Sequence, residues 1–185
     1  MGEPGAGRQP RLHAVRTPLD EATVLAMRAG DPVLLSGRVY TARDAAHRRL
    51  VALIESGAEL PLELAGQVIY YCGPTPAPPG RPIGSAGPTT SSRMDPYAPL
   101  LHARGLRATV GKGERSQEVR DALRQYGAVY LAAVGGIGAL LAQSVRAARV
   151  VAEADLGPEA IRELELEEFP AIVACDAHGG SVFGR

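Results

Sequence analysis

Between Arg124 and Arg146 the chain runs for 21 residues without a charge, long enough to cross a membrane as one helix. Gly135, Gly136 and Gly138 divide that run into a Val/Tyr/Leu half, AVYLAAVG over 128–135, and an Ala/Leu half, IGALLAQSVRAA over 137–148. Each glycine inside a helix costs about 1 kcal/mol against alanine, so three close together argue against a single continuous helix. The run therefore reads as a buried strand, a glycine turn and a helix, the repeating unit of an α/β fold.

The same unit recurs along the chain. RLHAVRT (11–17) reads as a strand feeding the helical EATVLAMRAG, with Gly30 as its stop. VLLSGRVYTA (33–42) is a β-branched strand that passes into the amphipathic helix ARDAAHRRLVALIESG (42–57). QVIYYCG (67–73) is a third strand, RATVGKG (107–113) a fourth, and ERSQEVRDALRQYG (114–127) a helix. VVAEADL, LELEEF and AIVACDAHGGSVF close the sequence as strands or a terminal hairpin turning at Gly179-Gly180. Alternating strands and helices predict an α/β domain with a mostly parallel sheet, and antiparallel strands at its margins.

One domain over residues 11–185 suits a chain of 185 residues that is 45 % hydrophobic and 22 % charged. MGEPGAGRQP (1–10) reads as a flexible leader, with no apolar stretch of secretory type, and the expected compartment is the cytoplasm. Cys72 and Cys175 are the only cysteines and stand far apart, so neither a disulfide framework nor a self-sufficient metal site is expected. Twenty basic residues balance twenty acidic ones, which excludes a global field for nucleic acid or an anionic membrane. Lys112 is the single lysine among them.

Chemistry in such folds gathers at strand–helix junctions, where amide N–H groups and the positive helix end converge. The first junction holds Arg43 and Asp44 with His47 one turn on. Arg43 suits a carboxylate, and the plainer reading is an Arg43–Asp44 surface pair with His47 half exposed. The second is GSAGPTTSSR (84–93), the far end of the 22-residue segment 74–95, which carries six prolines. A loop that long in a compact domain is functional or disordered. Thr89, Thr90, Ser91 and Ser92 offer hydroxyls as helix caps or anion ligands, and Arg93 a countercharge. The third is Gly111-Lys112-Gly113, where glycines leave room for an anion beside Lys112. Gly135-Gly136-Ile137-Gly138, the fourth, reads as close packing. Cys72 reads as an inert core thiol, and Asp176 with His178 as an acid/base pair or a hairpin turn.

Taken together, SGRVYTARDAAH, YYCGPTP, GSAGPTTSSRMD, the GKG turn and AVYLAAVGGIGALLAQSV resemble the beta subunit, or C-terminal catalytic domain, of class I iron–sulfur fumarases and tartrate dehydratases. The likeness runs in order from about residue 12 to 184. It implies a swivelling β/β/α domain and a hydro-lyase active only with an alpha subunit, which carries the [4Fe–4S] cluster, in an α2β2 assembly. Fumarate, malate or tartrate would be the dicarboxylate. The resemblance gives Arg43, Arg93 and Lys112 as substrate-carboxylate contacts, Thr89 as the catalytic hydroxyl, and His47 and Thr90 as lining residues. The competing reading is a non-catalytic anion-binding or scaffold subunit.

Overall fold

The computed structural model describes residues 8–133 and 137–184. Its strands are β1 (His13–Arg16), β2 (Pro32–Thr41), β3 (Val68–Tyr70), β4 (Ala108–Gly111), β5 (Val129–Ala132), β6 (Val145–Ala152) and β7 (Ile161–Cys175). The α-helices are α1 (Glu21–Ala26), α2 (Asp44–Ser56), α3 (Ala98–Ala103), α4 (Gln117–Tyr126) and the single turn α5 (Gly138–Leu141).

β1 through β5 pair side by side and parallel. β7 then pairs antiparallel with β5 and, along nearly its whole length, with β2. β2, β3, β4, β5 and β7 therefore form a closed ring, with β1 continuing on β2 and β6 on β7. The antiparallel strand expected at the margin is instead the strand that closes the barrel. Closure removes two sheet edges that would otherwise need covering.

Alternation along each strand explains the layers. Val39, Val68, Tyr70, Val110, Val129, Leu131, Phe169 and Val173 fill the interior. The residues of opposite parity, Tyr40, Ile69 and Tyr71, face outward onto Leu50, Ile54, Met94 and Leu101. Tyr130, Ala174 and Cys175 likewise pack outward on Val119 and Leu123 of α4. Strands buried on both faces read as unbroken apolar runs, which is why VIYYC shows no polar alternation.

Local signals set several boundaries. Asp20 accepts the Thr23 amide at 2.7 Å to begin α1, Ser116 caps α4, and Gly57 ends α2 in the left-handed region. α1 stops at Ala26, short of the expected Gly30. β2 bulges between Leu35 and Gly37. Gly37 has φ 93°, and a Cβ there would lie 2.6 Å from the Thr17 hydroxyl, so the bulge requires glycine.

Two elements differ from the sequence expectation. The helix expected over 137–148 ends at Leu141, and β6 begins at Val145 after a 3-10 turn. Pairing with β7 overrides helical propensity there: Arg146 bonds Glu167 at 2.5 Å, Arg149 bonds Glu163 at 3.0 Å, and Leu164 and Leu166 bury beneath. LELEEF and AIVAC are one 15-residue strand that passes through Pro170. The turn at Gly179-Gly180 is present, with the Val182 amide donating to the Ala174 carbonyl at 2.9 Å. Seven residues of the expected leader lie outside the described residues, and Arg8 within it pairs with Asp31. No helix among the described residues is long and apolar enough to cross a membrane.

Candidate active site

The C-terminal ends of β2, β3 and β4 lie side by side, and each delivers part of the site. Beyond β2, Arg43 has extended backbone geometry and precedes the first residue of α2, Asp44. The Arg43 side chain lies across Gly73, where a Cβ would come within 2.9 Å of its Nη1. Its buried Nε and the Asp44 Oδ1 find no hydrogen-bond partner among the described residues. The expected Arg43–Asp44 surface pair does not form: Asp44 pairs through Oδ2 with Arg93, so the first and second junctions are joined by an ion pair.

Beyond β3 the chain leaves on its long proline-rich excursion and returns. The Thr89 amide donates to the Tyr71 carbonyl at 2.6 Å, Thr90 forms a parallel bridge with Lys112, and the Ser91 amide donates to the Lys112 carbonyl at 2.9 Å. The returning segment thus takes the place of a strand beside the end of β4, putting Thr89, Thr90 and Lys112 on neighbouring positions. Gly111 makes this approach possible, since a Cβ there would sit 1.9 Å from the Ser91 hydroxyl. Thr89 is half-buried, while Thr90 and Lys112 are exposed. The hydroxyls do not cap the helical turn that follows: Thr90, in the capping position, makes no side-chain bond to it, and the Ser91 Oγ pairs with the Tyr130 hydroxyl at 2.9 Å.

His47 is fully enclosed, not half exposed. Its ring stands edge-on to Tyr71 at 5.3 Å and tilted on Tyr97 at 6.1 Å. Burial pushes its pKa down to about 4, and the Arg115 charge adds to the shift. The imidazole is therefore neutral at pH 7, and its Nδ1–H donates to the Arg43 carbonyl at 2.9 Å. His47 supports the backbone of Arg43 from below.

Arg115, which no sequence signal marked, lies beneath the whole arrangement and is 5 % exposed. It donates through Nε to Asp95 at 2.7 Å, through Nη1 to Thr109 at 3.0 Å and through Nη2 to the Tyr71 hydroxyl at 3.2 Å. Asp95 and Arg115 stand 20 residues apart and meet only in the fold, so neither spacing nor motif identifies the pair.

The remaining candidates are structural. Asp176 accepts the amides of Ala29, His178 and Gly180, each at 2.8 Å, while the His178 ring reaches the Leu25 carbonyl at 2.9 Å. The two side chains serve a turn and form no acid/base pair. Cys72 is buried, and burial pushes its thiol up to about 12, a poor nucleophile. In the glycine-rich fourth junction, Gly135 and Gly136 lie outside the described residues. Gly138 packs on the returning loop, where a Cβ would come within 2.7 Å of the Gly87 amide nitrogen. A cleft of about 450 Å³ under the proline-rich loop, between Pro76, Ile83 and Val150, is lined by none of the six candidate residues.

A closed α/β barrel whose parallel strand ends present arginine, lysine and threonine over a neutral histidine is equipped to hold a small carboxylic acid. Within that class the chain belongs to the Fumarase C-terminus family, whose model matches residues 6–185. It is 42 % identical over 171 residues to the putative L(+)-tartrate dehydratase subunit beta of Methanocaldococcus jannaschii, covering 89 % of this chain and 88 % of that one. It is 44 % identical over 151 residues to the anaerobic class I fumarate hydratase of Escherichia coli, covering 80 % of this chain and 28 % of that one. A fumarate hydratase of Leishmania major is 38 % identical over 158 residues, again with 28 % of its length covered. The chain thus spans under a third of these fumarate hydratases and most of the tartrate dehydratase subunit.

Proposed function

We propose that this chain, with residues 11–185 as its catalytic domain, is the beta-type subunit of a [4Fe–4S]-dependent hydro-lyase that hydrates fumarate to malate or dehydrates tartrate. The observation that carries the reading is the return of segment 89–91 against β4. It sets Thr90 opposite Lys112 with Thr89 the next residue along, while the Asp44–Arg93 pair ties the same segment to the Arg43 turn. In the proposal Arg43, Arg93 and Lys112 bind the two substrate carboxylates and Thr90 lines the site, while His47, enclosed and so not itself a lining residue, holds the Arg43 backbone.

Removing water from a hydroxy-dicarboxylate takes a proton from the carbon next to a carboxylate, and negative charge builds on that carboxylate. Cations fixed where the charge develops lower the barrier. Thr89 Oγ is assigned as the atom that takes this proton and returns it in the reverse direction. A threonine hydroxyl is a weak base, so the assignment relies on the neighbouring cations to favour its deprotonated form.

The residues of this chain do not fit the cluster. Among the described residues no group of three or more His, Cys, Asp and Glu side chains is arranged to hold a metal ion, and both cysteines are buried. The reading therefore places the cluster on an alpha-type partner, together with the Lewis-acid chemistry it supplies to the substrate hydroxyl. The relative named as a subunit beta supports a partner of this kind. A cytoplasmic α2β2 assembly and a barrel of the swivelling β/β/α domain type complete the proposal.

The test is anaerobic co-purification with the alpha-type subunit, followed by a screen of fumarate, malate, tartrate and mesaconate. Turnover by the pair and none by the isolated chain is the expected result, with Arg93→Ala and Lys112→Ala each lowering kcat/KM. Dicarboxylate binding without turnover in the reconstituted pair would overturn the enzyme reading in favour of an anion-binding subunit.

A further inference from the structure

Arg115 is connected to the segments that deliver Thr89, Arg93 and Lys112. Through Asp95 it reaches the helical turn that carries Arg93, and the second Asp95 oxygen accepts the Ser116 amide at 2.7 Å. Through Thr109 it holds β4, two residues before the Gly111-Lys112 turn. Through the Tyr71 hydroxyl it holds the residue whose carbonyl fixes the Thr89 amide. Its guanidinium also lies between two rings, 5.3 Å from the centre of Tyr71 and 4.9 Å from that of Tyr130. Tyr130 in turn donates to the Gly113 carbonyl at 2.8 Å and pairs with the Ser91 hydroxyl. One planar cation therefore braces the returning segment and the lysine turn against each other from below.

We propose that Arg115 is a positioning residue for the proton transfer, setting Thr89 Oγ against the substrate that Lys112 and the arginines hold. The inference rests on the hydro-lyase reading and adds a residue to it. Chemistry separates the groups being positioned. Arg43, Arg93 and Lys112 have long side chains that can follow a displaced carboxylate, whereas the threonine hydroxyl stands one bond from Cβ and has only its backbone and a single side-chain rotation to place it. Loosening the brace should therefore slow the proton transfer more than it weakens binding. A misplacement of about 1 Å is enough to cost about 10²-fold in rate. Arg115→Lys keeps the charge but replaces the three-way fork with a point donor, so it isolates geometry from electrostatics.

The experiment uses the assembled pair and compares Arg115→Lys, Thr109→Val and a control, Arg107→Lys. Arg107 donates to the Tyr126 and Gly127 carbonyls at the opposite end of β4. For Arg115→Lys the expectation is a kcat lowered by about 10- to 100-fold with a smaller change in KM, and a larger primary isotope effect on malate deuterated at the carbon that loses the proton. Thr109→Val, which removes a single contact, should shift the isotope effect in the same direction by less. It serves as the test if Arg115→Lys does not fold. Arg107→Lys should leave the isotope effect unchanged. A merely structural loss lowers the active fraction and leaves the isotope effect alone, so unaltered effects in Arg115→Lys and Thr109→Val would overturn the proposal. Absence of turnover on any dicarboxylate by the wild-type pair would overturn the hydro-lyase reading itself, and this inference with it.

Discussion

Asp44 and Arg93, 49 residues apart in sequence, form the ion pair that joins the start of α2 to the loop returning from β3. The pair is solvent-facing on the arginine side, with Arg93 51 % and Asp44 25 % exposed, so its contribution to stability is small, on the order of 0–1 kcal/mol. In the proposed site its effect is on direction: Asp44 occupies one nitrogen of the guanidinium, and the rest of the fork is assigned to the substrate carboxylate.

Asp44→Asn should therefore separate stability from binding. Thermal unfolding is expected to change by no more than about 1 kcal/mol, while KM for a dicarboxylate in the assembled pair rises several-fold. Scanning calorimetry alongside steady-state kinetics checks both. An unchanged KM would show that Arg93 needs no such support.

Gly111→Ala is the most damaging small substitution expected at the site. The added methyl would sit 1.9 Å from the Ser91 Oγ and 2.9 Å from the Tyr71 ring, and overpacking of this kind costs about 1–3 kcal/mol. The loss should appear in denaturant titration, together with reduced turnover as Thr89 is pushed from β4. Combining it with Ser91→Ala should recover part of the stability, because the nearer of the two collisions is removed.

His47 and His102 predict a pH dependence. Burial lowers both to about 4 from an ordinary 6.5. Between those values the unfolded chain binds protons that the native chain does not, so stability rises with pH across this window and falls as pH drops from 6.5 towards 4. The loss is on the order of 3 kcal/mol per histidine at the lower end. Urea unfolding at pH 7 and pH 4.5 measures it, and His102→Gln should flatten the dependence.

Cys72→Ser should leave activity in the assembled pair at the wild-type level, since the thiol is buried and its pKa is raised by burial. A large loss of kcat with unchanged stability would make Cys72 a reacting group.

What the sequence revealed and concealed follows from the range of the interactions. The strand–turn–helix units are local, so α2 with its Gly57 stop, α4 and the parallel strands were readable from periodicity and caps. Arg43, Thr89, Thr90, Arg93 and Lys112 were readable as junction residues, and the fold does join them through Tyr71, Asp44 and the Thr90–Lys112 bridge. Barrel closure was not readable, because it depends on β7 meeting β2 more than a hundred residues away. The same distant pairing turned the end of an expected helix into β6. Arg115 stayed hidden for a related reason: its partners at 71, 95 and 109 share no period with it, and among nineteen arginines nothing local distinguishes it.

The order of strands in the chain bears on how the protein is made. β7 is the last barrel strand to be synthesised, yet it supplies two of the ring's five seams, to β2 and to β5. Until it emerges from the ribosome, the four parallel strands form an open curved sheet with an unpaired edge on β2 and another on β5. The nascent chain therefore depends on β7 for protection against edge-to-edge association. Substitutions in β7 remote from any chemistry should show themselves first as poor yield of folded protein.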